Sequence, residues 1–314
     1  MKIVMSMDNI AGKRAMIKLR NVFYFLVLGC TFLLSGCHYA ILDPKGIIAA
    51  TEKKLLIESV LLMLIVVVPV IFLSIIIPWR YRASNTKATY KPNWSHSTMM
   101  EIVWWSIPCA IIFVLSWMTW VYTHSLDPYR PLAADQDTIM IEAVALDWKW
   151  LFIYPQTHTA TINLVEIPVN KAVRFFITSD APMNSLEIPQ LAGQIYAMTG
   201  MQTKLNLMAT STGNFVGLST NYSGDGFSGM NFPVKVVTQS QYNNWIKTVS
   251  QSPNHLTLAA YNEVIKPSKN NPITYFSHVE PGLFSQAIIK YMGPMPGMAL
   301  GYTGVLQDEK NHQG

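Results

Sequence analysis

The sequence predicts a membrane-anchored α+β protein: two transmembrane helices forming a hairpin, then an extracytoplasmic β-sandwich and a short helical C-terminal region. Of the 314 residues, 50% are hydrophobic and only 13% are charged, which is too apolar for a wholly soluble chain of this length. Two apolar runs in the first half are each long enough to cross a bilayer. Short β-rich runs separated by turn residues fill most of the second half.

The first 36 residues have the pattern of a secretory signal. Basic residues precede an apolar run from Val22 to Leu34, which ends in LSGC at residues 34–37. This ending is similar to a bacterial lipobox and predicts cleavage before Cys37, with a lipid on that residue. The alternative is an ordinary cleavage site with an incidental cysteine. A lipid on Cys37 would place the mature amino terminus outside the cytoplasm.

Two stretches, Leu55–Ile77 and Ile102–Tyr122, are predicted to span the membrane, since a helical span takes roughly 20 apolar residues. The connection between them carries basic residues and no acidic residue from Arg80 to Met100. The positive-inside rule therefore places this connection in the cytoplasm. Pro69 and Pro108 lie within the spans, which favours packing against other membrane helices.

The basic excess belongs to the membrane-proximal half. Residues 1–124 contain 5 acidic and 12 basic residues, whereas residues 125–314 contain 13 acidic and 11 basic residues. A nucleic-acid-binding function is therefore excluded for the extracytoplasmic part.

Short strands are predicted from residue 138 onward, with period-two alternation in Val173, Phe175 and Ile177 against Arg174 and Thr178. Beyond residue 239 the sequence favours short helices, followed by a flexible tail rich in Pro, Gly and Met. The predicted segments are a signal peptide (1–36), a lipid anchor and helical hairpin (37–124), a β-domain (125–239), a helical region (240–292) and a tail (293–314).

This order of elements resembles subunit II of the haem-copper respiratory oxidases, whose β-domain is a cupredoxin fold. The resemblance is carried by DWKW at Asp147–Trp150, NSLEIP at Asn184–Pro189 and GLSTNYSGDGFSGM at Gly217–Met230. It covers most of the mature chain. The segments ILDPKG, WRYRAS and PNWSHS, at residues 41–46, 79–84 and 92–97, resemble the ubiquinol oxidase branch of the family.

The copper-bearing members of the family have a distant His and then C-x-E-x-C-x-x-x-H-x-x-M, which supplies thiolate, imidazole and thioether ligands. The resemblance implies that most of these ligands are lost in this chain. The β-domain also contains no cysteine, since the three cysteines are Cys30, Cys37 and Cys109. We therefore expect no copper in this chain. The lost positions are Asn184, Ser219, Asn221, Ser223 and Phe227, and the retained position is Met230.

Loss of the copper site implies a quinol oxidase, in which electrons enter the haem-bearing subunit directly and not from cytochrome c. The expected function is a non-catalytic subunit of a proton-pumping ubiquinol oxidase in the bacterial inner membrane, with the β-domain on the periplasmic side. The expected partners are subunit I with its haems and copper, smaller membrane subunits, ubiquinol and membrane lipids. No cytochrome c or nucleic acid is expected as a partner.

Glu101 opens the second span at its cytoplasmic end. The resemblance implies that its carboxylate lies at the entrance of a proton pathway running through subunit I. The alternative is an interfacial acid that is stabilised by the helix dipole.

Aromatic, histidine and methionine residues give weaker signals. Trp148 and Trp150 are interpreted as packing or partner-contact residues. The histidines are widely separated in sequence, form no close metal-ligand pair and are interpreted as structural or exposed; they are His96, His158, His255 and His278. The tail methionines are interpreted as incidental and not as ligands of cuprous copper; they are Met292, Met295 and Met298.

Two other classes stay open at this point. A copper-bearing electron-carrier subunit is disfavoured by the missing cysteines. A free-standing lipoprotein with a cupredoxin-like binding domain would fit the lipobox, but it would not need two spans with internal prolines. No nucleophile–base constellation, phosphate loop or metalloprotease motif is found.

Overall fold

A computed structural model describes residues 39–89, 93–133 and 137–292. The predicted signal, Cys30, Cys37, Pro92 and the tail with Met295 and Met298 lie outside the described residues, as does the side chain of Met292. The chain divides into two compact units, residues 1–43 and 44–314. In the first unit, the described residues form only a short 3-10 helix at Ala40–Leu42.

Helices α1 (Ile47–Arg80) and α2 (Thr98–Ser125) are both long and apolar enough to cross a membrane. Each extends beyond the apolar stretch that predicted it, because helical hydrogen bonding continues into the polar flanks. Their hydrophobic side chains are largely exposed, as expected for surfaces that face lipid or other helices. Near the outer ends of the two helices, the Tyr122 hydroxyl donates to the Glu58 carboxylate at 2.7 Å.

The residues before α1 are hydrogen-bonded to the β-domain. The backbone N–H of Lys45 donates to the Gln190 carbonyl at 2.7 Å, and the N–H of Thr210 donates to the Lys45 carbonyl at 2.7 Å. At Gly46 the segment before α1 lies so close to the backbone of the β-domain that a Cβ would be 2.3 Å from the Leu191 carbonyl oxygen. The glycine of ILDPKG therefore permits the close approach that joins the first span to the β-domain.

The β-domain contains two large sheets. The strands are β1 Ile139–Leu146, β2 Lys149–Tyr154, β3 Thr159–Ile162, β4 Val165–Pro168, β5 Ala172–Ser179, β6 Asn184–Ile188, β7 Ala192–Ala197, β8 Thr203–Met208, β9 Gly213–Ser219, β10 Asn231–Val237, β11 His255–Leu256, β12 Thr274–Phe276 and β13 His278–Val279. The six-stranded sheet has the order β12-β3-β2-β1-β5-β8 and the five-stranded sheet has the order β4-β10-β9-β6-β7. Most pairs are antiparallel, whereas β1–β5 and β4–β10 are parallel.

The main core lies between the two large sheets. Side chains from alternate positions of both sheets fill it, including Phe152, Phe175 and Phe232, all at most 1% exposed. This is the double-layer arrangement of a β-sandwich. Residues 159–167 form two strands, since β3 belongs to one sheet and β4 to the other.

A second core covers the outer face of the six-stranded sheet. Helices α3 (Gln239–Ser250), α4 (Leu258–Val264) and α5 (Leu283–Met292) follow the sandwich, and the last two contribute to this core. The region expected to be helical, 240–292, also supplies β12, which pairs with β3. Because both faces of the sheet are covered, β5 is buried throughout, and the alternation around Arg174 does not mark a solvent-exposed face.

Candidate functional site

The candidate site is the loop between β9 and β10, together with the first residue of β6. β9 ends at Ser219 and β10 begins at Asn231, with a 3-10 turn at Phe227–Gly229 between them. β6 lies beside β9, with Leu186 opposite Ser219. This pairing places Asn184, the first residue of β6, against the loop.

Asn184, Ser223 and Met230 form a hydrogen-bonded cluster. The Asn184 Nδ2 group donates to Ser223 Oγ and to Met230 Sδ, both at 3.2 Å. Its Oδ1 atom accepts from the Ser185 backbone N–H at 2.8 Å. Asn184 and Met230 are 1% and 3% exposed. The amide therefore uses its polar atoms within the protein, and the thioether faces a hydrogen-bond donor.

The other three positions of the predicted ligand set make separate contacts. Ser219 Oγ accepts from the indole N–H of Trp150 at 2.8 Å. Asn221 Nδ2 donates to the Met183 carbonyl at 2.8 Å. Phe227 packs edge-on against a neighbouring tyrosine ring, with centroids 5.6 Å apart. The structure thus gathers three of the six positions into one cluster and directs the other three elsewhere.

This donor set does not fit copper. Amide and serine groups are neutral at physiological pH and cannot replace bridging thiolates, and one thioether is a weak ligand. In addition, the Asn184 amide presents N–H groups, not a lone pair, to Met230. Among the described residues, no group of three or more His, Cys, Asp or Glu side chains lies close enough to hold a metal ion.

Trp150 is a core residue. It is fully buried in the main core, where its ring lies 6.1 Å from Phe152 and 6.2 Å from Phe232 between centroids. Of the two sequence-based interpretations, packing describes Trp150, since a side chain without exposed surface cannot contact a partner. Its only polar atom donates to Ser219, which satisfies the buried indole.

Trp148 is half-buried and packs against the loop. Its backbone is left-handed, with φ of +63°, and its Nε1 group donates to the Ser223 carbonyl at 3.1 Å. A Cβ on Gly226 would lie 2.3 Å from Trp148 Cγ, and Gly224 has φ of +104°. The glycines of the loop therefore accommodate the indole ring and a backbone conformation that other residues rarely adopt.

Glu101 lies in the first turn of α2, and the structure pairs it with His96. The His96 Nδ1 atom is 2.7 Å from Glu101 Oε1, and the two side chains are 66% and 55% exposed. They line a shallow groove with Trp94 and Trp104. From the sequence alone, His96 is interpreted only as structural or exposed. Its position in the residues just before the helix, close in sequence to Glu101, was the signal that could have indicated the pair.

His255 and His278 lie opposite each other on the parallel strands β11 and β13. Their ring centroids are 6.3 Å apart, and both residues are exposed, which agrees with their interpretation as structural or exposed. Strand pairing brings these two positions together although they are distant in sequence. His158 lies in a turn, where its φ is +56°.

A buried carboxylate that no sequence pattern indicates joins the C-terminal segment to the sandwich. The Asp180 side chain is fully buried and accepts hydrogen bonds from the Tyr261 hydroxyl, the Lys290 ammonium and the Tyr291 hydroxyl, each at 2.7 Å. Burial and the adjacent Asp180 carboxylate raise the pKa of Tyr261 and of Tyr291. The donors are more than 80 residues distant, so no local pattern in the sequence indicates them.

Comparison with known families places the sandwich and the C-terminal segment in two described modules. The family model "Cytochrome C oxidase subunit II, periplasmic domain" matches residues 116–237, and "COX Aromatic Rich Motif" matches residues 251–295. The second module carries the helices and strands that cover the six-stranded sheet. A solved periplasmic domain of subunit II of cytochrome oxidase from Bradyrhizobium japonicum matches with 22% identity and a TM-score of 0.36, over 38% of this chain and 96% of that one.

Curated relatives match over most of their length. "Cytochrome bo(3) ubiquinol oxidase subunit 2" of Pseudomonas aeruginosa is 49% identical over 267 residues, which cover 85% of this chain and 81% of the relative. "Ubiquinol oxidase subunit 2" of Acetobacter aceti is 46% identical, covering 85% and 88%. "Quinol oxidase subunit 2" of Bacillus subtilis is 34% identical, covering 82% of each chain.

Proposed function

Because this chain belongs to the subunit II family of bacterial quinol oxidases, we propose that its own part in the complex is structural and not catalytic. The chain is subunit II of a quinol oxidase complex, an oxidoreductase of the respiratory chain, with a cupredoxin-like β-domain. A free-standing lipoprotein, the alternative open from the sequence, is not favoured by relatives named as oxidase subunits.

The cluster of Asn184, Ser223 and Met230 is the observation that carries the proposal. An electron-carrier subunit needs a redox centre, and the positions where the copper-bearing relatives hold one contain neutral groups that hydrogen-bond to each other. The β-domain then serves as a packed cap over subunit I. Ubiquinol is oxidised and oxygen is reduced to water in subunit I, which holds the haems and copper, and proton pumping is coupled to this reaction there.

Metal and haem analysis of the complex purified through this chain tests the proposal, together with oxidase assays using ubiquinol and reduced cytochrome c. We expect haem, one copper atom per complex from subunit I, and turnover with ubiquinol alone. Additional copper that follows this chain, or turnover with reduced cytochrome c, would refute it.

We further propose that Glu101 collects protons at the cytoplasmic face for a pathway through subunit I. Its exposed carboxylate beside His96 supports this role, since a paired imidazole can relay protons to it. Glu101→Ala should slow turnover without loss of assembly, and a matched Glu263→Ala variant on the opposite side of the membrane should not. Unchanged turnover in a fully assembled Glu101→Ala complex would contradict the proposal.

The membrane arrangement is proposed to follow the family. The two helices span the inner membrane, and the β-domain lies on the periplasmic side. A lipid on Cys37 anchors the mature amino terminus. Smaller membrane subunits and membrane lipids complete the complex. Intact-mass measurement of the chain tests the lipid. A mature chain that begins at Cys37 and carries added acyl mass is expected, whereas an unmodified amino-terminal cysteine would refute lipidation.

A further inference from the structure

A cavity of about 120 Å³ lies where the outer ends of α1 and α2 meet the β-domain. Ile48 and Glu52 line it from α1, and Ser125 lines it from the end of α2. The β-domain contributes Gly193 and residues near it, and the segment after α2 contributes Asp127 and Arg130. The cavity is separate from the loop described above and has no part in the proposed function.

The depth of the cavity corresponds to the lipid headgroups. The hydrogen bond between Tyr122 and Glu58 marks one level on both helices, near the outer end of their apolar stretches. Counted at 1.5 Å per residue from Leu55 and Tyr122, the outer ends of the two apolar stretches, Glu52 and Ser125 each lie about 5 Å farther out. The headgroup layer extends roughly 5–8 Å beyond the hydrocarbon core on each side, so the cavity opens among headgroups and not among acyl chains.

The charges in the cavity select the kind of headgroup. Glu52 is half-buried, and its carboxylate accepts a hydrogen bond from the Gly193 backbone N–H. Asp127 adds a second negative charge to the lining, and Glu187 lies close enough to interact with Glu52. Arg130 is exposed at the rim, and within the described part of the chain no acidic side chain forms an ion pair with it.

We propose that this cavity binds the zwitterionic headgroup of a phosphatidylethanolamine-type lipid of the outer leaflet. The ammonium group donates to the Glu52 carboxylate, and the Arg130 guanidinium donates to the phosphate. An anionic headgroup without an amine is disfavoured, because acidic side chains predominate in the lining. The site would thereby fix one lipid at the junction of hairpin and β-domain.

Gly193 offers a precise test. A Cβ at this position would lie 2.4 Å from Glu52 Oε1, the end of a flexible side chain. Gly193→Ala should therefore displace the carboxylate while keeping the fold and every charge. Glu52→Gln and Arg130→Gln remove the two proposed headgroup contacts one at a time. The control is Lys171→Gln, at a half-buried residue whose ammonium pairs with Asp137 outside the cavity.

The experiment is lipid counting on the whole complex purified through this chain, after exchange into detergent with equal amounts of phosphatidylethanolamine and phosphatidylglycerol. Native mass spectrometry should show one phosphatidylethanolamine fewer per complex in each of the three cavity variants. The reason is that loss of one charge-assisted hydrogen bond weakens binding of this lipid about tenfold. The control should match the unmutated complex.

Equal phosphatidylethanolamine counts in all complexes would overturn the proposal. Loss of phosphatidylglycerol from the cavity variants would also overturn it, because the site would then bind an anionic lipid. Loss of a bound quinone from these variants would overturn it as well, because the ligand would then belong to a different class. The lipid count does not depend on turnover. Failure here would therefore leave the proposed oxidase function intact, and failure of the oxidase assays would leave the lipid result interpretable.

Discussion

Glu142 should make the β-domain less stable as the pH rises toward neutrality. The residue lies in the middle of β1, opposite Ile153 of β2, and lines a small cavity beneath α5 with Leu283 and Phe284. Burial raises the pKa of its carboxyl from 4.5 to about 8. A carboxyl that is removed from water holds its proton, because the ionised form loses its hydration.

The sign and size of the effect follow from this shift. Below pH 4.5 the carboxyl is protonated in both folded and unfolded chains and has no effect. Between pH 4.5 and 8 only the unfolded chain ionises, so the free energy of unfolding falls by up to about 1.4 kcal/mol per pH unit. The accumulated loss is roughly 5 kcal/mol by pH 8, where it levels off. Glu142→Gln removes this loss because the amide does not ionise.

The measurement is urea unfolding of the detergent-solubilised chain at several pH values from 4.5 to 8. The Glu142→Gln variant should match the unmutated chain near pH 4.5 and exceed it by several kcal/mol at pH 8. The control is Glu263→Gln at a carboxylate that is 71% exposed, which should change stability by less than about 1 kcal/mol at every pH. A constant difference between the Glu142→Gln and unmutated curves across this range would refute the reasoning.

Three further predictions concern packing. Asp180→Asn should lower the free energy of unfolding by about 3 kcal/mol and expose the C-terminal segment to protease, since three hydrogen-bond donors lose the buried carboxylate charge that accepts from them. The control is Asp225→Asn, at an exposed ion pair, which should be nearly neutral in the same assays. Gly46→Ala should cost about 1–3 kcal/mol in thermal unfolding because its Cβ meets backbone, and an unchanged melting temperature would contradict the close approach. Trp150→Phe should cost about 2 kcal/mol by urea unfolding, since it leaves Ser219 Oγ without its donor, and a loss under 0.5 kcal/mol would show that this hydrogen bond contributes little.

The sequence predicted the elements with strong local signals. The two spans, most strands and the three C-terminal helices follow from apolar length and periodicity, and the cupredoxin-like fold is confirmed by the family match. β7 gives a weak sequence signal, because AGQIYA is short, begins with small residues and lies partly exposed at a sheet edge. The alternation in β5 gave no hint that a second core covers the outer face of the sheet.

The site was predictable by position but not by geometry. The alignment with a ligand pattern identified the six positions, yet it could not show that Asn184 donates to Met230 or that Trp150 is buried beneath Ser219. Those contacts depend on how β6 pairs with β9 and on how the two sheets pack, which one sequence does not specify. The cluster around Asp180 was missed for the same reason, since its partners come from helices far along the chain.

The pairing of β12 with β3 has a consequence for synthesis of the chain. β3 is flanked by β2 on one side and by β12 on the other, and about 110 residues separate β3 from β12. At about 5–20 residues per second, the ribosome needs roughly 6 to 20 seconds to make the intervening chain. Until then the outer edge of β3 has unpaired N–H and C=O groups, which can pair with another chain. Each newly made molecule therefore passes through an interval in which it can aggregate. That interval ends when β12 pairs with β3.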